Sequence, residues 1–430
     1  MSNVDPQLVD ADVSEADDSD SIPEFIDRLY RESSRRVFAS LARCLGDLDL
    51  AEDALQDAFT QAATQWTQDG LPDNPIAWLI STGRFKAIDR IRKDSKIGQN
   101  AASISDRIQR IAAINSERGD QSIEDDRLRL IFTCCHPAID RSVQIPLTLR
   151  EVCGLTTEEI ASAFLTKPAA MAQRIVRGKS KIRDANIPIT IPELTELPGR
   201  LDVVLSVVYL IFNEGYCASS GDSLTRVELS SEAIRLGRLL VELSPDPEVK
   251  GLLALMLLHE SRRQSRTDSE GNIILLEKQD RSRWDSEMIA EGRRLVEQAI
   301  ASRRVGGYTI QAAISAVHSE AQSASDTDWA QIVALYDVLM LLEGSPVVEL
   351  NRAVAVAMRD QPSAGVELIE RIHQRGQLLE YAPAFSALAE LQRRSGRSAV
   401  AAELFRKALE LTTQQSERRF LQQRIDEMES

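Results

Sequence analysis

The sequence predicts an all-α protein, and three observations support that fold class. Apolar residues recur every three or four positions over most of the chain, the spacing of a helix with one buried face. Residues 149–183 carry the pattern of two short helices joined by a tight turn. A helical repeat emerges between residues 385 and 408. Residues 273–276 form a short extended piece at most.

Composition limits the class of protein. With 430 residues the chain is long enough for about two to four domains. Its net charge of −15 and pI near 5.0 argue against a protein that coats nucleic acid indiscriminately. No apolar run approaches the roughly 20 residues that span a bilayer, and no signal peptide opens the chain. Five scattered cysteines suggest a reducing compartment, so we expect a cytoplasmic protein.

The N-terminal residues 1–21 are acidic, with seven aspartates or glutamates and no lysine or arginine. They offer too little apolar surface to offset the entropy lost on ordering. We therefore expect a disordered tail, which would either keep the protein soluble or compete with DNA for basic surfaces.

Residues 22–96 predict a helical bundle. Within it, residues 47–66 form an amphipathic helix with an apolar face and an acidic one. After a segment rich in helix breakers, a second helix is expected to bury Trp78 and Phe85 and to carry arginine and lysine on its other side. One helix thus has an acidic face and the next has a basic face.

Residues 149–183 predict a helix-turn-helix. Thr156 and Glu159 have the spacing of a capping box, and Pro168 suits the first position of the second helix, where no amide partner is needed. The second helix is expected to face inward with Met171, Ile175 and Ile182. Every charged residue from position 166 to position 183 is basic, and phosphates favour such a stripe. An ordinary surface hairpin is the plain alternative.

Several segments resemble parts of bacterial sigma factors. The pattern Asp-x-x-x-Ala-Glu-Asp-Ala-x-Gln-Asp-Ala-Phe at residues 47–59 resembles the polymerase-binding part of region two. Residues 75–79 and 87–90 resemble its promoter-melting and minus-ten-reading parts, and residues 149–183 resemble region four, which reads the minus-35 element. Because both regions occur in the right order, the chain resembles the extracytoplasmic-function sigma factors, which keep only these two regions.

The resemblance implies which residues make each contact. Core RNA polymerase is expected to contact Asp49, Glu52, Asp53, Gln56 and Asp57. The minus-ten element is expected to contact Asn74, Arg84, Lys86, Arg90, Arg92 and Lys93. The minus-35 major groove is expected to receive Lys167, Ala172, Gln173, Arg174, Arg177, Lys179 and Lys181. The loop at residues 66–75 is the candidate pocket for a base taken from the stack.

The domain boundaries follow from these motifs. We expect the tail at residues 1–21, region two at 22–96, a partly helical linker at 97–124, region four at 125–186, a proline-rich connector at 187–200 and a helical domain at 201–430. Cys134, Cys135 and His136 invite a metal interpretation. No second pair of ligands has a spacing suited to structural zinc, so we expect buried structural roles and no metal.

The last domain predicts many helices and an eroded repeat. The expected helices cover residues 201–212, 230–243, 249–261, 286–301, 308–319, 329–342 and 347–358. One unit has the small and large residues of a tetratricopeptide (TPR) hairpin at Phe385, Leu388, Ala389, Ala401, Phe405 and Ala408. A weaker unit has Leu350, Ala353, Gly365, Ile369 and Ile372. We expect a TPR-like α-solenoid, in which neighbouring repeats bury one another's faces.

Three phrases in this domain, NEGY from Asn213, QDRSRWD from Gln279 and SPVVELNRAVAV from Ser345, resemble the extension of one sigma group. That group fuses region four to a TPR-like C-terminal domain. The charged residues Asp280, Arg281, Arg283 and Asp285 fit either a ligand or partner site or a loop held by its own ion pairs.

No catalytic constellation is visible in the sequence. His259, His318 and His373 are isolated, each within a predicted helix and without metal-ligand spacing. No phosphate-cradling glycine loop, nucleophile elbow or HExxH pattern occurs. We therefore expect neither an enzyme nor a bound cofactor.

We interpret the chain as an alternative-type sigma factor that directs core RNA polymerase to promoters, cytoplasmic and nucleoid-associated through polymerase. Its C-terminal domain is expected to regulate it in cis and to have a protein or small-molecule partner of its own. Two other functions stay open: a helix-turn-helix regulator that acts without polymerase, and a TPR scaffold. Binding to core polymerase separates the three.

Overall fold

The structure, a computed structural model, describes residues 21–96, 124–164, 166–192, 196–217 and 225–429. Within these ranges the regular structure is helical, with one isolated antiparallel bridge between Thr267 and Ile273 and no strand. The prediction of an all-α fold is therefore confirmed. Nearly all of the predicted disordered tail and of the predicted linker fall outside the described residues.

The described part of the chain contains eighteen α-helices. They are α1 (Ile22–Leu45), α2 (Leu48–Asp69), α3 (Pro75–Lys96), α4 (Glu124–Cys134), α5 (Arg141–Glu151), α6 (Thr157–Ala163), α7 (Pro168–Asp184), α8 (Leu197–Tyr216), α9 (Val227–Leu243), α10 (Pro247–Glu260), α11 (Ser286–Ala301), α12 (Gly307–Glu320), α13 (Trp329–Leu342), α14 (Pro346–Arg359), α15 (Pro362–Gln374), α16 (Ala382–Arg394), α17 (Ser398–Leu411) and α18 (Gln415–Glu429). None of these helices is long and apolar enough to cross a membrane.

The helices form two compact units. The first comprises Met1–Thr156 with Ala169–Arg200, and the second comprises Thr157–Pro168 with Leu201–Ser430. The division passes through the predicted helix-turn-helix: α6 belongs to the second unit and nearly all of α7 to the first.

In the first unit, α1, α2 and α3 pack against one another around an aromatic centre. Asp47 caps α2 by accepting a hydrogen bond from the Leu50 amide at 2.9 Å. Trp66, near the other end of α2, is 1 % exposed and meets Trp78 of α3 edge-on, with 5.2 Å between ring centroids. The three helices therefore share one core with an aromatic pair in it.

Helices α4, α5 and α7 continue the first unit. The apolar residues Leu128, Leu130, Ile131 and Phe132 of α4 are buried, and α7 begins at the predicted Pro168. The predicted inward residues of α7 are buried: Met171, Ile175 and Ile182. Gly178 lies so close to α5 that a Cβ atom there would stand 2.8 Å from Val143 and 2.9 Å from Leu147. The missing side chain lets α7 pack directly on α5.

In the second unit, the seven predicted helices are all present as α8 to α14, each within a few residues of its expected ends. Helix α8 begins at Leu197, so the last four residues of the predicted connector are helical. Pro198 is tolerated because it lies in the first turn, where no intrahelical partner is required. Residues 187–192 are not helical.

From α13 onward, each helix packs chiefly on its neighbours in sequence. Five of the six residues that suggested the clearer repeat form a cluster between α16, α17 and α18, with Ala389, Ala401 and Ala408 completely buried. Leu388 packs instead in the cluster of the weaker repeat. Gly365 of the weaker repeat allows close approach, since a Cβ there would lie 2.5 Å from that of Ala357. This serial packing is typical of a solenoid; the assignment to the TPR class stays a prediction.

The charged residues of the QDRSRWD segment hold the surrounding loops in place. Asp280 caps a short 3₁₀ helix, and Asp285 caps α11 through two backbone amides at 3.0 and 2.9 Å. Arg281 donates hydrogen bonds to the carbonyls of His318 and Ala321 at 2.5 and 2.7 Å. Its guanidinium also lies 4.6 Å from the Trp284 ring centroid. These contacts favour a loop tied down internally over a ligand site.

The histidines of this unit are less isolated than their sequence context suggests. His259 hydrogen-bonds Ser315 at 3.1 Å, and its ring meets Tyr216 at 5.2 Å. Burial, together with the nearby Arg262 and Arg281, lowers the pKa of His318 to about 4. Desolvation likewise holds the pKa of His259 well below its usual value. Neutral imidazoles suit this aromatic and cationic interior.

Candidate nucleic-acid interface

The predicted polymerase face lies on the exposed side of α2. Asp49 and Asp53 are 55 % and 52 % exposed, and Gln56 and Asp57 are exposed as well. Glu52 is half-buried because it pairs with Arg35 of α1 at 3.1 Å. The periodicity that buries the other side of α2 thus gathers these polar side chains on one surface.

The predicted minus-ten face lies on α3, beside the acidic face of α2. Arg90 pairs with Asp53 at 2.9 Å, and the Lys86 ammonium donates to the Gln61 side chain at 3.0 Å. Both contacts are exposed and weak. The side chains of Arg92 and Lys93 fall outside the described set. The acidic and basic faces therefore meet at the α2–α3 junction.

Phe85 corrects the sequence prediction, which placed it in the buried stripe of α3. Its side chain is 61 % exposed, and the Arg84 guanidinium lies 5.4 Å from its ring centroid. Helical periodicity brings Phe85 near the apolar stripe, but at its position no helix of the described chain covers the ring. An exposed aromatic ring beside arginine can stack a nucleic-acid base.

The loop predicted at residues 66–75 as a base pocket is shorter than expected. Trp66 belongs to α2 and is buried, and Pro75 is the first residue of α3. The intervening loop is residues 70–74. The side chain of Asn74, predicted to contact DNA, accepts a hydrogen bond from the Ala77 amide at 3.0 Å and so caps α3.

The predicted minus-35 residues spread over the surface of α7 and the turn before it. Lys167, Gln173, Arg177 and Lys181 are exposed, whereas Ala172, Arg174 and Lys179 are half-buried. The Arg177 side chain donates to the Gln173 carbonyl at 3.4 Å, which lays it along the helix. The apolar face opposite is packed, so the basic face is the one available to a partner.

One carboxylate of α2 holds two cations of α7. Arg183 Nη1 lies 3.0 Å from Asp49 Oδ2, and Lys179 Nζ lies 3.5 Å from Asp49 Oδ1. Lys179 also pairs with Glu151 of α5 at 3.2 Å. Glu151 is 1 % exposed, and burial raises its pKa although Lys179 opposes the shift. A predicted polymerase residue and a predicted DNA-contacting residue are thus in contact.

A buried ion pair joins α1 to α4. Asp126 is completely buried and lies 2.6 Å from Arg43 Nε and 2.7 Å from Arg129 Nη1. Sequence reasoning missed it, because Asp126 and Arg43 are far apart in the chain and neither belongs to a motif. No local pattern pointed to it, since Asp126 stands between two other charged residues, Asp125 and Arg127.

The Cys134-Cys135-His136 run lies at the end of α4. Both thiols are buried, and desolvation raises the pKa of Cys135 to about 12 and that of Cys134 well above its usual value. His136 accepts a hydrogen bond from the Ala138 amide at 3.1 Å. The described residues contain no group of three or more side chains placed to hold a metal ion.

The first helix of the predicted helix-turn-helix is tied to the extension. Glu159 of α6 lies 2.8 Å from Arg226, the residue before α9, and Arg226 also lies 3.8 Å from Glu214 of α8. Arg226 and Glu159 are 28 % and 29 % exposed. The capping-box glutamate predicted from the sequence therefore also has a partner 67 residues away.

Comparisons with known families divide the chain in the same order. Sigma-70 region 2 matches residues 29–97, which include α2, α3 and most of α1. Residues 200–300 match a family described as "Family of unknown function (DUF6596)". No solved structure matches the chain.

Curated relatives extend these matches. An uncharacterized protein, R00370 of Rhizobium meliloti, is 39 % identical over 94 % of this chain and 96 % of its own length. The ECF RNA polymerase sigma factor SigK of Mycobacterium ulcerans is 26 % identical over 36 % of this chain and 79 % of its own length. A probable ECF sigma factor, SigI of Mycobacterium tuberculosis, is 24 % identical over 35 % of this chain and 51 % of its own length. The Rhizobium protein shares nearly the entire chain, and the region-two match agrees with the named relatives: the protein belongs to the extracytoplasmic-function RNA polymerase sigma factors.

Proposed function

We propose that the protein binds core RNA polymerase through α2 and directs it to promoters, reading the minus-ten element with α3 and the minus-35 element with α7. Sigma factors are not enzymes, and polymerase supplies the chemistry. The observation that carries the proposal is the region-two match over residues 29–97, combined with an exposed acidic face on one of its helices and a basic face on the next.

Polymerase binding is assigned to the exposed acidic side of α2. Asp53 and Asp57 lie one helical turn apart and are both exposed, so a cationic partner surface can reach them together. Asp53 pairs with Arg90, but that contact is half-exposed and offers little resistance to a competing partner.

The double variant Asp53→Lys/Asp57→Lys is expected to lose co-purification with core polymerase. Like charges across an interface cost about 2 kcal/mol or more, roughly thirty-fold in affinity. Asp57→Lys alone separates this effect from the loss of the Arg90 pair. Asp69→Lys, an exposed aspartate at the far end of α2, is the matched control for Asp57→Lys. Full polymerase binding by the double variant would contradict the assignment.

Minus-35 recognition is assigned to the outward face of α7. Arg177 is exposed and Arg174 half-buried, and neither is needed for the apolar packing of Met171 and Ile175. Arginine can reach base edges as well as phosphates in the major groove.

Arg174→Ala and Arg177→Ala are expected to weaken transcription from the cognate promoter without unfolding the protein. A lost base contact is worth about 1–3 kcal/mol, whereas a lost phosphate contact lowers the salt slope by about one. Run-off transcription at several salt concentrations distinguishes the two contacts, and thermal unfolding controls for stability. If both variants transcribe normally, α7 or this face of it is not the reader.

Promoter melting is assigned to α3 and the loop before it. Phe85 exposes its ring beside Arg84, and residues 70–74 lie at the start of the same helix. Unpaired bases stack on such rings at about 1–3 kcal/mol each, so the ring would stabilise the opened strand and not the duplex.

Phe85→Ala is expected to slow promoter opening by about ten-fold while leaving polymerase binding intact, and Phe85→Tyr is expected to keep opening near normal because it keeps a ring. Permanganate reactivity of unpaired thymines measures opening, and a promoter with a pre-opened bubble provides the control. An Ala variant as slow on the bubble as on the duplex would place Phe85 outside the melting step.

Regulation in cis is assigned to the C-terminal helices. The Glu159–Arg226 ion pair ties α6 to the loop before α9, and the clustering of α6 with the C-terminal unit supports the same link. A region-four helix held in this way can respond to whatever binds the extension. Resemblance to the fused sigma group favours a domain required for activity over a simple inhibitor.

Arg226→Glu is expected to lower promoter-dependent transcription by about five-fold with polymerase binding unchanged, and the swap Arg226→Glu/Glu159→Arg is expected to restore it. Truncation after Asn186 removes the entire extension and is expected to have at least as large an effect. A truncated protein that folds, binds polymerase and transcribes as the full chain does would make the extension an independent module.

A further inference from the structure

We propose that the free protein is held closed by Asp49, which neutralises Arg183 and shares Lys179, so that the polymerase surface and the promoter-binding helix mask each other. The inference rests on the proposed assignment of α2 to polymerase and α7 to DNA. It concerns how those two surfaces are coupled, which the assignment alone does not address.

The contact joins two surfaces meant for different partners. Asp49 lies on the α2 face assigned to polymerase, and Arg183 and Lys179 belong to the basic side of α7. The Arg183 and Asp49 atoms are 3.0 Å apart across 134 positions of sequence. While Asp49 holds these cations, polymerase meets a neutralised carboxylate and DNA meets neutralised cations.

The two cations do not depend on Asp49 equally. Lys179 keeps Glu151 at 3.2 Å when Asp49 is removed, and Glu151 is buried. Arg183 is left beside Asp184 at 3.6 Å, with both side chains more than half exposed. Removing Asp49 therefore frees Arg183 for phosphate, whereas Lys179 stays committed to α5.

The strength of the contact suits a latch. Arg183 and Asp49 are 54 % and 55 % exposed, and ion pairs this exposed change an equilibrium by only about 1.4- to 5-fold. Such a contact can be displaced when polymerase offers Asp49 a better-placed cation. By thermodynamic reciprocity, polymerase binding then strengthens DNA binding by the same factor.

This coupling would keep the free protein from binding DNA without polymerase. A free sigma factor that bound DNA would be lost on nonspecific sites, because phosphate contacts need no particular sequence. The net charge of −15 opposes such binding globally, and Asp49 opposes it locally at the end of α7 that carries the last basic residues.

The test uses the full-length protein and removes each partner while measuring the ligand of the other. Arg183→Ala is measured against core polymerase, because Arg183 is no part of the polymerase surface. Asp49→Asn is measured without polymerase against a mixed-sequence duplex of about 20 base pairs, because Asp49 is no part of the DNA surface. Each variant is expected to bind about 1.4- to 5-fold more tightly than the wild-type protein.

An exposed ion pair on α1 supplies matched controls. Arg31 and Asp27 are 2.7 Å apart and 72 % and 69 % exposed. Asp27→Asn changes the net charge as Asp49→Asn does, and Arg31→Ala changes it as Arg183→Ala does. If the Asp49 variant tightens DNA binding no more than the Asp27 variant, or the Arg183 variant tightens polymerase binding no more than the Arg31 variant, the latch is wrong.

The geometry is tested separately from affinity. Fluorophores on noncanonical residues at Thr60 of α2 and Val176 of α7, both exposed, report the separation of these helices. Energy transfer is expected to fall in Arg183→Ala and to recover in the swap Asp49→Arg/Arg183→Asp. Unchanged transfer in Arg183→Ala overturns the latch. A wild-type protein that fails to bind polymerase at all overturns the proposed function instead.

Discussion

The buried carboxylate of Asp126 constrains the rest of the sigma portion. It has no exposure to solvent, so its charge must be balanced inside the protein, and Arg43 and Arg129 lie close enough to balance it. Removing one member of such a group leaves an uncompensated buried charge, at a cost of about 3–5 kcal/mol. Asp126 therefore fixes α4 against α1. Helix α5 packs on α4, and α7 packs on α5 through Gly178, so this contact indirectly decides which part of α2 faces α7.

The consequence is a graded set of ion pairs across the same unit. Asp126 is completely buried, Arg35 and Glu52 are partly buried, and Asp49 with Arg183 is more than half exposed. Burial separates their roles. The Asp126 ion pair resists separation of α1 from α4, whereas the Asp49–Arg183 pair exchanges readily with other charged partners. A protein that must hold its shape when free and give up surface contacts to polymerase needs both kinds.

The sequence alone predicts most of the helices and, for each, the face that is buried. Met171, Ile175 and Ile182 are predicted inward and are buried, because helical periodicity depends only on residues close in the chain. The same reasoning fails for Phe85, whose place in the apolar stripe says nothing about whether another helix reaches it. It also extends the loop to Trp66, which the fold buries in α2. Boundaries near glycine and proline are the least certain part of a pattern.

The long-range contacts lie beyond such reasoning for a different reason. Asp49 and Lys179 are each predicted as functional residues of separate regions, and no local spacing relates them to each other or Asp49 to Arg183. The same is true of Glu159 and Arg226, where a capping-box residue also serves as an anchor for the extension. In both cases a residue chosen for one local role is engaged by a distant charge of opposite sign. Of the two helices of the predicted helix-turn-helix, α7 thus contacts α2 and α6 contacts the residue before α9.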